Sequence, residues 1–103
     1  MSGYVLSREA DRDLDDLWYY IAQDSVDAAD RLVHKLLDAF DGLGRNPGIG
    51  HKRKDLTKHE VLFWPVGNYL VIYRAGRRPI QIVAVAHGSR DIPTFLRRLR
   101  SSD

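Results

Sequence analysis

The stretch "PIQIVAVAHGSRDIP", residues 79–93, decides how the chain folds, because it changes at the middle from an apolar strand pattern to a turn and the start of a helix. Its first part is apolar and rich in β-branched side chains, which predicts a strand ending at His87. Alternation along this strand puts two sets of side chains on opposite faces: Ile80, Ile82, Ala84 and Ala86 on one, and Val83, Val85 and His87 on the other. Both faces therefore need cover from the rest of the chain. After a glycine turn, Asp91 is placed to cap a closing helix whose apolar side consists of Ile92, Phe95, Leu96 and Leu99.

The N-terminal half predicts the cover for one face. "GYVLS", residues 3–7, reads as a short strand, and Ser7 is placed to cap a helix of about four turns. Apolar residues then recur at helical spacing in two stripes: Ala10, Leu14, Leu17, Trp18 and Ile21, followed by Ala29, Leu32, Val33, Leu36, Leu37, Phe40 and Leu43. The second stripe ends at Gly44 and Asn46-Pro47, so the two helices form an αα-hairpin.

Two further strands precede the quoted stretch. "EVLFWP" and "YLVIYRA" flank Gly67-Asn68, and with the last strand they predict a three-strand antiparallel meander. The fold class is α+β: an N-terminal strand and an αα-hairpin packed on an antiparallel sheet of three to four strands, with a short C-terminal helix. The hairpin covers one sheet face and the closing helix only part of the other. We therefore expect an exposed apolar patch on the sheet and an edge strand open to an added strand.

Length and composition indicate a single globular domain, residues 1–103, with 44% hydrophobic and 29% charged residues. There is no cysteine, no apolar run long enough to span a membrane and no apolar signal segment at the N-terminus. We expect a cytoplasmic protein without membrane contact. The histidines at 34, 51, 59 and 87 are scattered, and no nucleotide loop or metal-binding motif occurs, so we expect no cofactor and no metal.

Charge is divided unevenly along the chain, although the net charge is only +2. Residues 1–41 carry four basic and ten acidic side chains, for a net charge of −6, and residues 42–103 carry a net charge of +8. A basic half attracts nucleic acid or an acidic protein segment by long-range steering. Charge alone does not choose between these two partners.

Four phrases together resemble the ParE branch of the RelE/ParE toxin superfamily: "YVLSREADRDLDDLWYYIAQD", "AADRLVHKLLDAFDGLGRNPGIGHKRKDL", "VGNYLVIYRA" and "IVAVAHGSRDIPTFL". They cover nearly the whole chain in the family's order. The most specific parts are the NPxxGxxR segment at residues 46–53, the Gly67-Asn68-Tyr69 turn followed by Tyr73-Arg74, and residues 87–91.

The resemblance implies the toxin of a type II toxin–antitoxin pair. Such a toxin is held inactive in a hetero-oligomer by an antitoxin, here a ParD-like protein whose disordered tail wraps around it. ParE-like toxins are associated with inhibition of DNA gyrase. RelE-like relatives on the same fold instead cut messenger RNA in the ribosomal A site.

Five residues are candidates for contact with the antitoxin or the target: Arg53, Arg74, His87, Arg90 and Asp91. A guanidinium at position 53 suits a carboxylate or a phosphate, and Arg74 is unusual among Leu70 and Ile72, where a charge needs a partner. His87 has two interpretations, a strand-end residue bonded to the backbone or a proton-transfer group. Asp91 is interpreted first as a helix cap.

The alternative function is RNA cleavage, for which Arg53, His87 and Arg90 would have to act together. The tail "FLRRLRSSD" lacks the late tyrosine that RelE-like enzymes use, so this catalytic set is incomplete. We therefore favour a non-enzymatic gyrase inhibitor over an mRNA interferase. A plain nucleic-acid-binding module is the third reading, and it is weakened because the basic residues are not interleaved with exposed aromatic ones.

Overall fold

The order of elements along the chain is the one that the sequence predicts. The computed structural model describes residues 3–101, and the side chains of residues 3–97. Its elements are β1 (Tyr4–Leu6), α1 (Arg8–Ala22), α2 (Val26–Arg45), a 3-10 turn (Pro47–Ile49), β2 (Leu62–Val66), β3 (Tyr69–Arg74), β4 (Ile80–His87) and α3 (Ile92–Ser101). The side chain of Leu99, predicted on the apolar side of α3, lies outside the described residues.

One sheet contains all four strands, in the order β1-β4-β3-β2. The antiparallel meander β2-β3-β4 is confirmed, whereas β1 runs parallel to β4, so the sheet is mixed rather than antiparallel throughout. Between β1 and β4 the chain forms the αα-hairpin and the two antiparallel strands β2 and β3. The last strand, β4, then lies beside β1 and runs in the same direction.

A bulge in β4 makes the predicted assignment of its faces wrong. The β3–β4 register passes from Ile72 opposite Ala84 to Tyr73 opposite Ile82, which leaves Val83 as an extra residue. Side chains beyond the bulge therefore change sides. Ile80 and Ile82 pack in the same core as Val85, while Ala84 and Ala86 pack in the other core.

The two sheet faces carry two separate cores. The first lies under the helices and buries residues from α1, α2 and the sheet, including Leu14, Leu17, Leu36, Phe40, Leu43, Val71 and Tyr73. The second lies under α3 and buries Val61, Phe63, Ile72, Ala84, Ala86, Ile92, Phe95 and Leu96.

The expected apolar patch on the sheet is not present in the described part of the chain. The second face is closed by α3 together with Leu56, which reaches it from the long loop before β2. Among residues 3–97, one exposed large apolar side chain lies on the sheet, Val5 of the edge strand β1, and the others lie on the helical hairpin and the 3-10 turn: Tyr19, Tyr20, Val26 and Ile49.

The outer edge of β2, one of the two edges of the sheet, offers no N–H to an added strand. Both backbone groups of Phe63 point away from β3 and pair with His51, at 2.8 Å in each direction. The Val61 N–H donates to the His59 carbonyl, and Pro65, the next residue that points outward, has no N–H. Within this described segment, no outward N–H is left for a partner strand.

The start of α1 closes the edge of β4 beyond the end of β1. The Ser7 hydroxyl accepts the N–H of Ala10 as the predicted helix cap and donates to the carbonyl of Val83. One turn further, a carboxylate oxygen of Asp13 accepts the N–H of Val85 at 2.9 Å. Both contacts satisfy backbone groups at the bulge that would otherwise have no strand beside them.

The buried side chain of Tyr73 ties the sheet to the loop after α2. Its hydroxyl donates to the carbonyl of Pro47 at 2.7 Å and accepts the N–H of Gly50 at 2.9 Å. Burial raises the pKa of Tyr73, so the phenol keeps its proton for the first of these bonds. A Cβ at position 50 would clash with the hydroxyl oxygen of Tyr73, and only glycine leaves room for this clamp.

Replacing Tyr73 by Phe should lower the free energy of unfolding by about 1–3 kcal/mol, because both loop groups lose their partner while the ring stays in the core. Urea denaturation measures the change. Tyr20→Phe is the matched control, since the Tyr20 side chain is 73% exposed and its variant should be unchanged. Equal stability of the two variants would show that the clamp does not hold the loop.

Asp13 makes stability depend on pH. Burial raises the pKa of Asp13 to about 7, and the charge of Glu9 adds to the rise, while the Val85 N–H and the charge of Arg90 oppose it. In the unfolded chain the pKa is about 3.9. Between these values the folded state binds more protons than the unfolded state, so stability should fall as pH rises from about 4 to about 7.

The Asp13→Asn side chain is neutral at every pH and keeps an oxygen for the Val85 N–H. The stability of this variant should therefore not fall as the pH rises from about 4 to about 7. We expect the variant to match the wild type near pH 4 and to exceed it in stability at pH 8, as measured by urea denaturation. Asp15→Asn removes the same charge from an exposed position of α1 and serves as the control. An equal gain in the free energy of unfolding at pH 8 in both variants would show that overall charge, not the burial of Asp13, causes the effect.

Candidate functional site: a basic groove

A groove of about 930 Å³ lies between the loop before β2 and the end of the β3–β4 hairpin. Its walls come from two stretches, residues 52–62 and 74–77. No residue of the acidic N-terminal helices is among the described lining residues.

The lining is strongly cationic. It includes six cations: Lys52, Arg53, Lys54, Lys58, Arg74 and Arg77. Of the lining residues that the structure describes, only Glu60 carries a carboxylate. Because like charges gathered in a concave surface reinforce one another's field, this groove is suited to an anion.

The first wall is held in place by backbone contacts. The Tyr73 clamp fixes the chain at Pro47 and Gly50, and the pairing of His51 with Phe63 carries it along β2. A turn follows, in which the N–H groups of Leu56 and Thr57 both donate to the carbonyl of Arg53. With Leu56 packed in the second core, the loop presents its cations from a fixed backbone.

The Arg53 guanidinium is oriented by a neighbouring carboxylate. Its Nε and Nη2 donate to the two Asp55 oxygens at 3.0 and 2.8 Å. Hydrogen bonding from Arg53 lowers the pKa of Asp55, so the pair stays ionised. Both side chains are exposed, at 45% and 63%, so the pair orients the guanidinium more than it stabilises the fold.

Arg74 stands at the end of β3, on the sheet face that also carries Leu70 and Ile72, as predicted. Those two side chains pack in the second core, whereas Arg74 is exposed and lines the groove. The charge that is unusual in the strand pattern therefore belongs to the lining of the basic groove.

His87 lies at a different place, the corner after β4. The Ser89 N–H donates to Nδ1 of His87 at 3.1 Å, and the Ser89 hydroxyl oxygen lies 2.7 Å from the same nitrogen. Because an N–H can only donate, Nδ1 is an acceptor and the neutral ring carries its proton on Nε2. The ring also packs edge-on against Tyr69, with centroids 5.2 Å apart.

The two residues that follow this corner have structural contacts. Asp91 caps α3, since its carboxylate accepts both the N–H and the hydroxyl of Thr94, and these hydrogen bonds lower the pKa of Asp91. The Arg90 guanidinium lies 4.2 Å from the ring centroid of Phe95, a cation–π contact that fixes it over α3.

The structure separates the candidates for RNA cleavage. Arg53 belongs to the groove, beside Arg74 at the end of β3, while His87 pairs with Tyr69 at the start of that strand. The six residues of β3 set the two ends about 17 Å apart. His87 and Arg90 share the corner, and Arg53 does not join them.

Two groove cations, Lys58 and Arg77, were not singled out from the sequence. Their signal was present only as charge, in "DLTKHE" and "AGRRP", where a solvated loop is the default interpretation. Sequence spacing does not reveal that the β3–β4 turn lies across from the loop, because the register of β2 on β3 brings them together.

The described part of the chain has neither a metal-binding cluster nor a membrane-spanning helix. No group of three or more His, Cys, Asp or Glu side chains is arranged to hold a metal ion in this part of the chain. Among the same residues, no helix has the length and apolar character needed to cross a membrane.

Residues 4–92 match the family described as the ParE toxin of the type II toxin–antitoxin system parDE. Toxin ParE1 of Caulobacter vibrioides is 33% identical over 97 residues, which span 93% of this chain and 99% of that protein. Putative toxin Y4kP of Sinorhizobium fredii is 31% identical over 85 residues, covering 82% of this chain and 86% of the relative.

The fold has a solved counterpart in a chain of the chromosomal ParDE toxin–antitoxin system of P. aeruginosa. The TM-score is 0.69 with 19% sequence identity, and the match covers 84% of this chain and 96% of that one. This likeness confirms the α+β fold. Together with the sequence match along nearly the whole length, it leads to one conclusion: the chain belongs to the ParE family of type II toxin–antitoxin toxins.

Proposed function

We propose that this toxin acts by binding and inhibiting DNA gyrase, and that a ParD-like antitoxin neutralises it. The observation that carries the proposal is the separation of the groove cations from His87. A binding inhibitor needs only a charged surface of fixed shape, whereas RNA cleavage needs proton-transfer groups and phosphate-binding cations around one phosphate. In this proposal residues 1–103 form one toxin domain that acts in the cytoplasm, where gyrase is found.

The basic groove is the proposed contact for the antitoxin. An acidic, disordered antitoxin segment gains charge-assisted hydrogen bonds from cations such as Arg53, Arg74 and Arg77. Because His51 and Pro65 close the outer edge of β2, the segment binds there through side chains in the groove rather than as an added strand. The result is a toxin–antitoxin hetero-oligomer.

Purified toxin should block supercoiling of relaxed plasmid by gyrase or trap cleaved DNA. His87→Ala should retain most of this effect, because inhibition by binding requires no proton transfer at the imidazole. Gel electrophoresis of plasmid topoisomers measures the activity, and thermal melting checks that the variant is folded.

Programmed ribosomes provide the opposing assay. If the toxin were an interferase, it would cut message in the A site, and His87→Ala would slow cutting roughly 10²–10⁴-fold. Ribosome-dependent cutting without any effect on gyrase would reject the proposed function and leave the fold assignment intact.

Replacing Arg74 by Ala should weaken the complex with the antitoxin by about 1.5–3 kcal/mol, the range for a hydrogen bond to a charged group. Isothermal titration calorimetry with the purified antitoxin measures the difference. Arg31→Ala is the matched control, since it removes one exposed guanidinium from α2, outside the groove. Unchanged affinity of a folded Arg74→Ala variant would show that Arg74 serves the fold instead.

A further inference from the structure

The groove has a chemical bias beyond its charge. Its described lining contains six cations but no Phe, Tyr or Trp side chain. Sites for single-stranded nucleic acid combine cations with aromatic platforms on which bases stack. Sites for the backbone of a duplex need only Lys and Arg, because bases stacked within a duplex present no free faces.

We infer that this groove binds the phosphate backbone of duplex DNA. The inference deepens the proposed function and rests on it for its biological role. Gyrase binds duplex DNA, so a toxin that binds gyrase comes close to that DNA. Through the groove, the toxin would contact the DNA as well as the enzyme. An acidic antitoxin segment in the same groove would then compete with DNA and neutralise the toxin by occupying its phosphate site.

The arrangement of the cations suits a duplex backbone. They stand on two walls, with Lys52, Lys54 and Lys58 on the loop and Arg74 and Arg77 on the hairpin. Phosphates of a duplex follow one another closely, at one charge per about 1.7 Å of helix axis, so cations on both walls find partners at once. Asp55 takes two of the Arg53 donors, so the charge that Arg53 contributes to the groove is partly compensated.

Preorganisation of the loop supports binding. The Tyr73 clamp, the His51–Phe63 pairing and the burial of Leu56 hold the backbone of this wall before any ligand arrives. Binding then requires little loss of backbone conformational entropy, so less of the favourable electrostatic free energy of binding is offset.

Fluorescence anisotropy of a labelled 20-bp DNA duplex, titrated with the purified toxin at 50–200 mM salt, tests the inference. We expect saturable binding that weakens linearly in log–log coordinates as salt rises. The triple variant Lys52→Ala/Lys58→Ala/Arg77→Ala should weaken binding roughly 100-fold at 100 mM salt and reduce the salt slope by about 2–3. Each replaced side chain is exposed, so the variant should fold.

The triple variant Arg8→Ala/Arg12→Ala/Arg31→Ala is the matched control. It removes the same charge from exposed positions outside the groove and should bind nearly as the wild type does. Equal losses in the two variants would show that net charge, not the groove, binds DNA. Tighter binding of the single strand than of the duplex would also overturn the inference.

The assay contains no gyrase, so the two hypotheses can fail separately. Gyrase inhibition without DNA binding would overturn the groove assignment and leave the proposed function. DNA binding without gyrase inhibition would reject the proposed function and keep the groove as a duplex site.

Discussion

The hydroxyl group of Tyr73 makes the contact on which the position of the basic loop depends. It is the point where the sheet fixes the loop that follows α2, through the Pro47 carbonyl and the Gly50 N–H. The NPxxG segment of the sequence thus has a physical meaning: proline begins the 3-10 turn, and glycine leaves space for the phenol. Without this clamp the basic residues at 52–54 would belong to a long connection of undefined position.

The last strand links the clamp to the rest of the fold. β4 lies between β1 and β3, contributes to both cores and contains the bulge that exchanges its faces at Val83. Ser7 and Asp13 pair with the exposed backbone at that bulge, which attaches the acidic helical hairpin to one edge of the sheet. The groove instead lies between residues 52–62 and 74–77, in the basic part of the chain. The charge asymmetry of the sequence is therefore a spatial asymmetry as well.

Much of the fold could be predicted because it rests on local signals. Helical spacing, the Ser7 cap, the Gly67-Asn68 turn and the Asp91 cap each act over a few residues, and each is confirmed. Three other features arise from tertiary packing and have no signal in the local sequence: the bulge at Val83, the parallel pairing of β1, and the contact of Leu56 with the second sheet face. The site was predictable only in part for the same reason. Arg53 and Arg74 stood out as charges, but their separation from His87 depends on strand register.

The proposed antitoxin-binding surface is the clamped basic groove, not the strand-end corner at residues 87–91. Hydrogen–deuterium exchange of the toxin, free and in complex with its antitoxin, distinguishes the two surfaces. Binding should slow exchange at residues 52–62 and 74–77 and leave residues 87–91 largely unchanged. Slowed exchange confined to residues 87–91, with the groove segments unaffected, would show that the antitoxin binds the corner instead.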